Sequence, residues 1–175
     1  RRLQMSRDGI IRSTNRKIIR VTPTLSTDAY AAGDVAFTAT EIPNAVINEG
    51  GCSKIINCFV IDQDRDTFDL NLVFTEKNTA LGTINATANI SDADMEAIGF
   101  CGMNFFQSDG AANGHIDQVR IMKQQSLSLA NESVEPLLIQ AEAGSTSVYV
   151  SGIFPDGTPT FAAADDIDII LHIEY

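Results

Sequence analysis

Residues 53–77 carry the pattern that most constrains how this chain can fold. Phe68, Leu70, Leu72 and Phe74 recur at every second position, with more polar residues between most of them. Successive side chains of a strand point to opposite faces of a sheet, so this spacing predicts a strand with one apolar and one wetter face. Residues 55–61 are predominantly apolar and rich in β-branched side chains. They predict a central strand that is covered on both faces.

The two predicted strands are separated by the charged sequence DQDRDT, residues 62–67. This sequence has no apolar side chain to bury, so we expect a solvated turn. The whole segment Ser53–Lys77 is therefore predicted to be a β-hairpin that displays an acidic tip.

The carboxylates of that tip also resemble the start of a calcium-binding loop. An EF-hand loop counted from Asp62 needs Gly at its sixth position and Glu at its twelfth. The chain has Thr67 and Val73 there, which excludes an EF-hand. A calcium site of another kind is the alternative to a solvated turn.

The rest of the chain consists of short apolar segments separated by turn residues. One short helix is predicted from Ser91 to Gly99, because Ser91 is a suitable N-cap and acidic residues follow it. The absence of strand–helix–strand alternation and of Trp argues against a parallel α/β sheet and against an immunoglobulin domain. We expect an all-β fold, a two-sheet antiparallel β-sandwich of the jelly-roll kind. The further predicted strands are residues 17–25, 35–42, 100–107, 116–129 (one strand or two), 134–141, 148–154 and 167–175.

Charge is distributed very unevenly along the chain. Residues 1–20 hold seven of the 12 basic residues and one acidic residue, whereas the remainder holds five basic and 22 acidic residues. This division predicts an extended basic arm over residues 1–17 and a single acidic β-sandwich domain over residues 18–175. An acidic body repels phosphates, so nucleic acid is not an expected ligand. No apolar run is long enough for a membrane-spanning helix, so no membrane partner is expected.

A search for catalytic and ligand-binding motifs gives no candidate. Cys52, Cys58 and Cys101 lack the spacing of a zinc site or a disulfide framework, and Cys58 is expected to be a small buried hydrophobe. His115 and His172 have no nucleophile motif to serve, and no phosphate-binding glycine loop is present. We therefore predict no catalytic residue, no cofactor and no metal.

The predicted binding residues are charged ones. Guanidinium groups pair well with carboxylates, so the arm is expected to contact an acidic neighbour. If the hairpin contacts a partner, its tip is expected to do so. The candidate partner-binding residues are Arg7, Arg12, Arg16 and Arg20 for the arm, and Asp62, Asp64 and Asp66 for the tip.

Several stretches resemble small virion structural proteins of tailed bacteriophages, especially marine ones. They are VTPTLSTDAYAAGDVAF at 21–37, EIPNAV at 41–46, SKIINCFVIDQDRDTFDLNLVF at 53–74 and AGSTSVYVSGIFPDGTPTF at 143–161. The resemblance covers roughly residues 18–175 and leaves out the basic arm. It implies a capsid decoration or cement protein, a β-sandwich homotrimer on the outer shell that contacts the major capsid protein. Such a protein is made in the host cytoplasm and ends in the virion.

Two other functions are kept as alternatives. A carbohydrate- or receptor-binding module on the virion is the first, because jelly rolls often serve that role. A glycoside hydrolase or lyase is the second, and it requires a carboxylate pair in a cleft. Position on the particle separates cement from adhesion, because cement covers the shell whereas adhesion modules sit at the tail.

Overall fold

The computed structural model describes residues 4–5, 11–12, 16–108, 113–124 and 135–175, with only the backbone described for residues 4–5 and 11–12. The described chain is almost entirely β-structure, with one short helix. The strands are β1 Gln4–Met5, β2 Ile11–Arg12, β3 Arg16–Val21, β4 Val35–Ile42, β5 Cys52–Asp62, β6 Leu70–Thr75, β7 Phe100–Phe106, β8 Gly114–Ile116, β9 Val119–Lys123, β10 Leu137–Gln140, β11 Val148–Ile153 and β12 Ile167–Glu174, and the helix is α1 Asp92–Ala97.

Two antiparallel sheets form a sandwich, as predicted. One sheet has the order β3-β12-β5-β9-β8. The edge of β5 that faces away from β12 has two partners, β10 along residues 52–55 and β9 along residues 59–62. The other sheet has the order β4-β11-β6-β7. The chain therefore wraps back and forth between the sheets, and the orders β3-β12-β5-β9 and β4-β11-β6-β7 are those of a jelly roll.

The predicted hairpin is wrong, although both of its strands exist. β5 belongs to the six-stranded sheet, whereas β6 belongs to the four-stranded sheet, where it pairs with β11 and β7. Residues 63–69 therefore connect the two layers instead of turning within one sheet. The alternation of side chains determines which face of a strand is buried but does not determine which strand lies beside it, and this is why the pairing was missed.

The core lies between the sheets and is made by the inward side chains of both. The alternating face predicted at Phe68, Leu70, Leu72 and Phe74 is confirmed, since each of these side chains is at most 1% exposed. At one end of the core, the ring of Phe68 lies 5.0 Å from that of Phe154, an edge-to-face contact typical of aromatic clusters.

The two faces of β5 differ, contrary to the prediction that both are covered. Ile55, Cys58 and Val60 are buried in the core, whereas Phe59 and Ile61 on the other face are half-buried. The prediction for Cys58 is confirmed, and burial raises the pKa of its thiol to about 12. Phe59 and Ile61 therefore remain partly in solvent.

The outward side of the four-stranded sheet, in contrast, is covered by residues 76–99. Val73 of β6, predicted to lie on the wetter face, is buried with Val35, Leu81 and Ile98 in a second apolar cluster. The predicted helix forms here, and Ser91 caps it by accepting a hydrogen bond from the backbone N–H of Asp94 at 3.1 Å.

The N-terminal residues depart from a fully extended arm. The backbone of β1 pairs with that of β2, antiparallel, so that Gln4 lies opposite Arg12. β3 begins at Arg16, two residues before the predicted domain boundary, and pairs with β12. Arg16 therefore belongs to an edge strand of the sandwich.

Candidate functional site

The predicted binding residues are dispersed over the molecule. Arg7 lies outside the described residues, and Arg12 is described by its backbone alone. Arg16 and Arg20 are exposed on β3, opposite Glu174 and Ile170 of β12. Asp62 lies at the other end of β12, opposite Ile167, so the structure does not bring the arginines and the acidic turn together.

Asp62 is buried, and its prediction as part of an exposed tip is wrong. It is the last residue of β5 and is 0% exposed. Its Oδ1 accepts hydrogen bonds from the backbone N–H groups of Asp64 at 3.1 Å and Arg65 at 3.0 Å, which fixes the start of the connection between the sheets. A side chain used in this way is not available to a partner.

Arg120 was not singled out from the sequence, and it is the basic counterpart of Asp62. The two residues are cross-strand neighbours on β9 and β5, and Arg120 is only 7% exposed. Its guanidinium donates to the backbone carbonyl oxygens of Asp66 and, at 3.1 Å, Arg65. In the sequence, Arg120 lies between the apolar residues Val119 and Ile121 of a predicted strand, and so on the opposite face from them. This position was the signal that could have identified it.

Burial dominates the electrostatics of this pair. It raises the pKa of Asp62 from 3.8 to about 6, while the charge of Arg120 and two backbone hydrogen bonds act in the opposite direction. Asp62 Oδ2 and Arg120 Nε are both buried without a hydrogen-bond partner in the described chain. Their charges stabilise each other without a direct ion pair.

The other carboxylates of the turn hold a neighbouring loop. The backbone N–H of Ala162 donates to Asp64 Oδ2 at 2.6 Å, and that of Thr160 donates to Asp66 Oδ2 at 2.9 Å. Asp166 is buried beside them and accepts a hydrogen bond from the backbone N–H of Ala163. Burial raises the pKa of Asp166, and its hydrogen bond with Asp64 and the charge of Asp64 raise it further.

We call Asp62, Asp64, Asp66, Arg120 and Asp166 the acidic clasp. Its contacts join the end of β5 to the loop that precedes β12, so its carboxylates have structural partners. Within the described ranges, no group of three or more His, Cys, Asp or Glu side chains is arranged to hold a metal ion.

A second feature is the outward side of the six-stranded sheet, which we call the outer face. Ile18 at one edge is 56% exposed and Ile116 at the other is 66% exposed, with half-buried apolar side chains between them. Exposed apolar side chains gathered on one face of a sheet are typical of a contact site. The outward residues are apolar at Ile18, Ile56, Phe59, Ile61, Ile116, Val119, Ile121, Leu138 and Ile170, basic at Arg16, Arg20, Lys54 and Lys123, acidic at Asp168 and Glu174, and otherwise polar at Thr22, Cys52, Asn57, Gln140 and His172.

Both carboxylates of the outer face already have partners. Arg16 Nε lies 2.8 Å from Glu174 Oε2, and the hydroxyl of Thr22 donates to Asp168 Oδ1. In contrast, Arg20, Lys54 and Lys123 form no ion pair within 4.0 Å in the part of the chain that the structure describes. The outer face therefore presents unpaired positive charge around an apolar centre.

Two shallow clefts open on this face. The larger, about 310 Å³, is lined by Arg16, Lys17, Ile18, Ile56, Asn57 and His172. The smaller, about 180 Å³, lies between Lys54, Leu138 and the chain end. The larger cleft is at the lower limit of the volumes typical of small-molecule sites.

Comparisons of the chain with protein-family models, with curated proteins and with solved structures gave no match. None of the described helices is long and apolar enough to span a membrane.

Proposed function

We propose that this chain is a structural virion protein, a decoration or cement protein that binds the outer surface of a tailed-phage head and stabilises the mature shell. The observation that carries the proposal is the jelly-roll strand order, an architecture common among viral structural proteins. The resemblance of residues 18–175 to small phage virion proteins points the same way.

The distribution of side chains supports a contact function over a chemical one. The carboxylates of the acidic clasp, which include the three of the acidic turn, accept backbone hydrogen bonds within the chain. The outer face exposes apolar and basic side chains over one side of the six-stranded sheet. An open sheet surface of this composition suits binding to another protein surface better than it suits enclosing a substrate.

A cement protein stabilises a shell by binding one of its states more tightly than the others. If it binds the mature lattice and has lower affinity for dissociated subunits, mass action favours the lattice by the difference in binding free energy. A homotrimer would engage neighbouring subunits together, so individually weak contacts would combine into stable occupancy.

The basic arm is proposed to contact the major capsid protein. Arg16 is less suited to this role than first predicted, because Glu174 already pairs with it. Arg20 is exposed and has no ion pair among the described residues. We therefore assign the capsid contacts of the arm to Arg7 and Arg12, and leave Arg20, which lies on the sandwich itself, for a contact of the outer face.

The proposal is tested by adding the purified chain to undecorated heads of the phage that encodes it and measuring occupancy by sedimentation and gel densitometry. The full chain is expected to saturate the heads, and removal of residues 1–15, which leaves β3 intact, is expected to weaken binding about tenfold or more because several charge pairs are lost. A matched variant with Arg7→Gln and Arg12→Gln separates charge from chain length. Full-length chain that does not bind the heads would refute the capsid function, whereas equal binding of the shortened chain would refute only the role of the arm.

A further inference from the structure

The outer face is large enough to be a protein interface. Five strands at about 4.8 Å spacing give a width of roughly 24 Å, and seven residues at about 3.3 Å rise give a length of about 23 Å. The resulting patch, about 550 Å² in plan and larger when its corrugation is included, is of the same order as the roughly 800 Å² that each partner buries in a stable complex. Its centre is apolar and its ends, at Ile18 and Ile116, are more than half exposed.

The sign of the charge on the outer face is opposite to that on the rest of the body. Outward strand positions there hold four basic and two acidic residues, and both acidic ones are already engaged. Elsewhere, the described residues from 16 onward include eighteen acidic and four basic side chains. The chain therefore carries both halves of a complementary pair, a basic and apolar face and an acidic remainder.

This difference in charge distinguishes three candidate occupants of the outer face, which are the basic arm, a second outer face and the acidic remainder of another copy. The residues before β3 include Arg1, Arg2, Arg7 and Arg12 against Asp8, so the arm has the same sign as the face and is repelled by it. Two outer faces placed against each other would bring Arg20, Lys54 and Lys123 of both copies together. An outer face against the acidic remainder of another copy brings opposite charges together instead.

We propose that the outer face binds a second copy of this chain in a head-to-tail contact, in which the neighbour presents part of its acidic remainder. Apolar burial supplies most of the affinity, and Arg20, Lys54 and Lys123 set the orientation. A head-to-tail contact closes into a ring when its rotation fits, which is how such a contact builds a trimer, and otherwise extends into a chain of copies. The inference concerns self-association and does not depend on capsid binding.

The first test measures the mass of the full chain by sedimentation velocity over a range of protein concentrations, at about 50 mM and about 500 mM salt, because ionic contacts weaken over this range. We expect oligomers at low salt and weaker association at high salt, because screening reduces the ionic part of the affinity and leaves the apolar part. The variant R20E/K123E changes two exposed positions of the outer face and is expected to weaken association about tenfold or more. The control R65E/K77E makes the same change in net charge on the acidic remainder and is expected not to weaken association, because it adds negative charge to the surface that the outer face binds.

Three results would overturn the proposal. A chain that stays monomeric at every concentration lacks the contact. Association that appears only after removal of residues 1–15 identifies the arm as the occupant. Binding of a short single-stranded DNA that requires Arg20 and Lys123, without self-association of the chain, identifies the face as a nucleic-acid site.

A mixing experiment tests the head-to-tail geometry. R20E/K123E keeps its acidic remainder, so tagged wild-type chain is expected to capture it at low salt even though the variant does not associate with itself. If the contact were face to face, the reversed face would attract the basic face of the wild type, and wild-type chain would capture R20E/K123E more tightly than it captures another wild-type chain. Capture of the variant that is no tighter than capture of the wild type, and that is abolished when both chains carry R20E/K123E, supports the proposal. Tighter capture of the variant, or capture that persists between two variant chains, refutes it. These measurements use the isolated chain, so their failure leaves the capsid-binding result intact.

Discussion

Asp62 is an ionisable group placed where a charge is poorly solvated. Its carboxylate is fully buried, and its pKa is raised to about 6 mainly by that burial. The unfolded chain releases this proton near pH 3.8, so between about pH 4 and pH 6 the folded chain binds more protons than the unfolded chain. The contribution of Asp62 to the free energy of unfolding therefore decreases as the pH rises through this window, and it is smaller at pH 7 than at pH 4.

Replacing Asp62 with Asn is expected to reduce that pH dependence. Asn keeps an oxygen acceptor for the N–H groups of Asp64 and Arg65 but has no proton to lose. Thermal unfolding should show that the melting temperature of D62N minus that of the wild type is larger at about pH 7 than at about pH 4. Asp166, whose pKa is also raised, retains some dependence in the variant. An unchanged difference between the two proteins at the two pH values would contradict this assignment.

Arg120 is expected to matter more for stability than any basic residue of the surface. Its removal leaves the carbonyl oxygens of Arg65 and Asp66 without their donor and the buried Asp62 without its compensating charge. We expect R120A to lower the free energy of unfolding by about 3 kcal/mol, as for other broken buried charge pairs. Lys123→Ala on the exposed end of the same strand is the control and should cost less than about 0.5 kcal/mol. Urea unfolding of the two variants at neutral pH makes the comparison.

At the scale of elements, the pairing of β11 with β4 depends on a glycine. A Cβ added to Gly152 would lie 2.3 Å from the ring of Phe37, its cross-strand neighbour in the core. Both residues are buried, so G152A must displace the ring or bend the strand, at an expected cost of about 1–3 kcal/mol. Gly114 on the edge strand β8 has open space at the same position, and G114A should be close to neutral. Equal stability of the two variants in denaturant unfolding would show that this contact is not tight.

The elements also show what the sequence could predict. The inward faces of β6 and β12 follow from strict alternation, because only one register buries an unbroken apolar set. The layer to which each strand belongs does not follow, since β5 and β6 are both sheet-forming and the seven residues between them are too polar to indicate a partner. The burial of Val73 was not predicted for a similar reason, because the residues that cover it come from the segment 76–99, which has little periodicity of its own.

The candidate site was less predictable than the fold. Charge alone identified the acidic turn in the sequence. Its structural role depends on contacts with Arg120 and with the backbone of residues 160–166, which lie far from it in the sequence. The outer face was missed altogether, because its residues come from six strands and no single segment contains the patch. Such a surface is assembled by topology, so it becomes visible only when the strand order is known.

At the scale of the whole molecule, the basic arm and the sandwich are expected to be separable at residue 15. The paired strands of both sheets begin at Arg16, and the buried apolar residues of the described chain start at Ile19. Removal of residues 1–15 should therefore change the free energy of unfolding by less than about 1 kcal/mol, a shift of roughly 2–4 °C or less in melting temperature for a domain of this size.

A second truncation supplies the contrast. Removal of residues 1–21 also takes β3, and with it the buried side chains of Ile19 and Val21 and the ion pair of Arg16 with Glu174. Loss of two buried aliphatic side chains alone corresponds to about 3–6 kcal/mol. In the full chain β12 lies between β3 and β5, so the truncation also makes β12 an edge strand whose backbone groups have lost their partners in β3. We expect this shorter chain to unfold at a much lower temperature or to aggregate, with both chains followed by circular dichroism. Comparable destabilisation by the two truncations would mean that the arm is part of the folded body, and its proposed role as a separate capsid contact would then need to be abandoned.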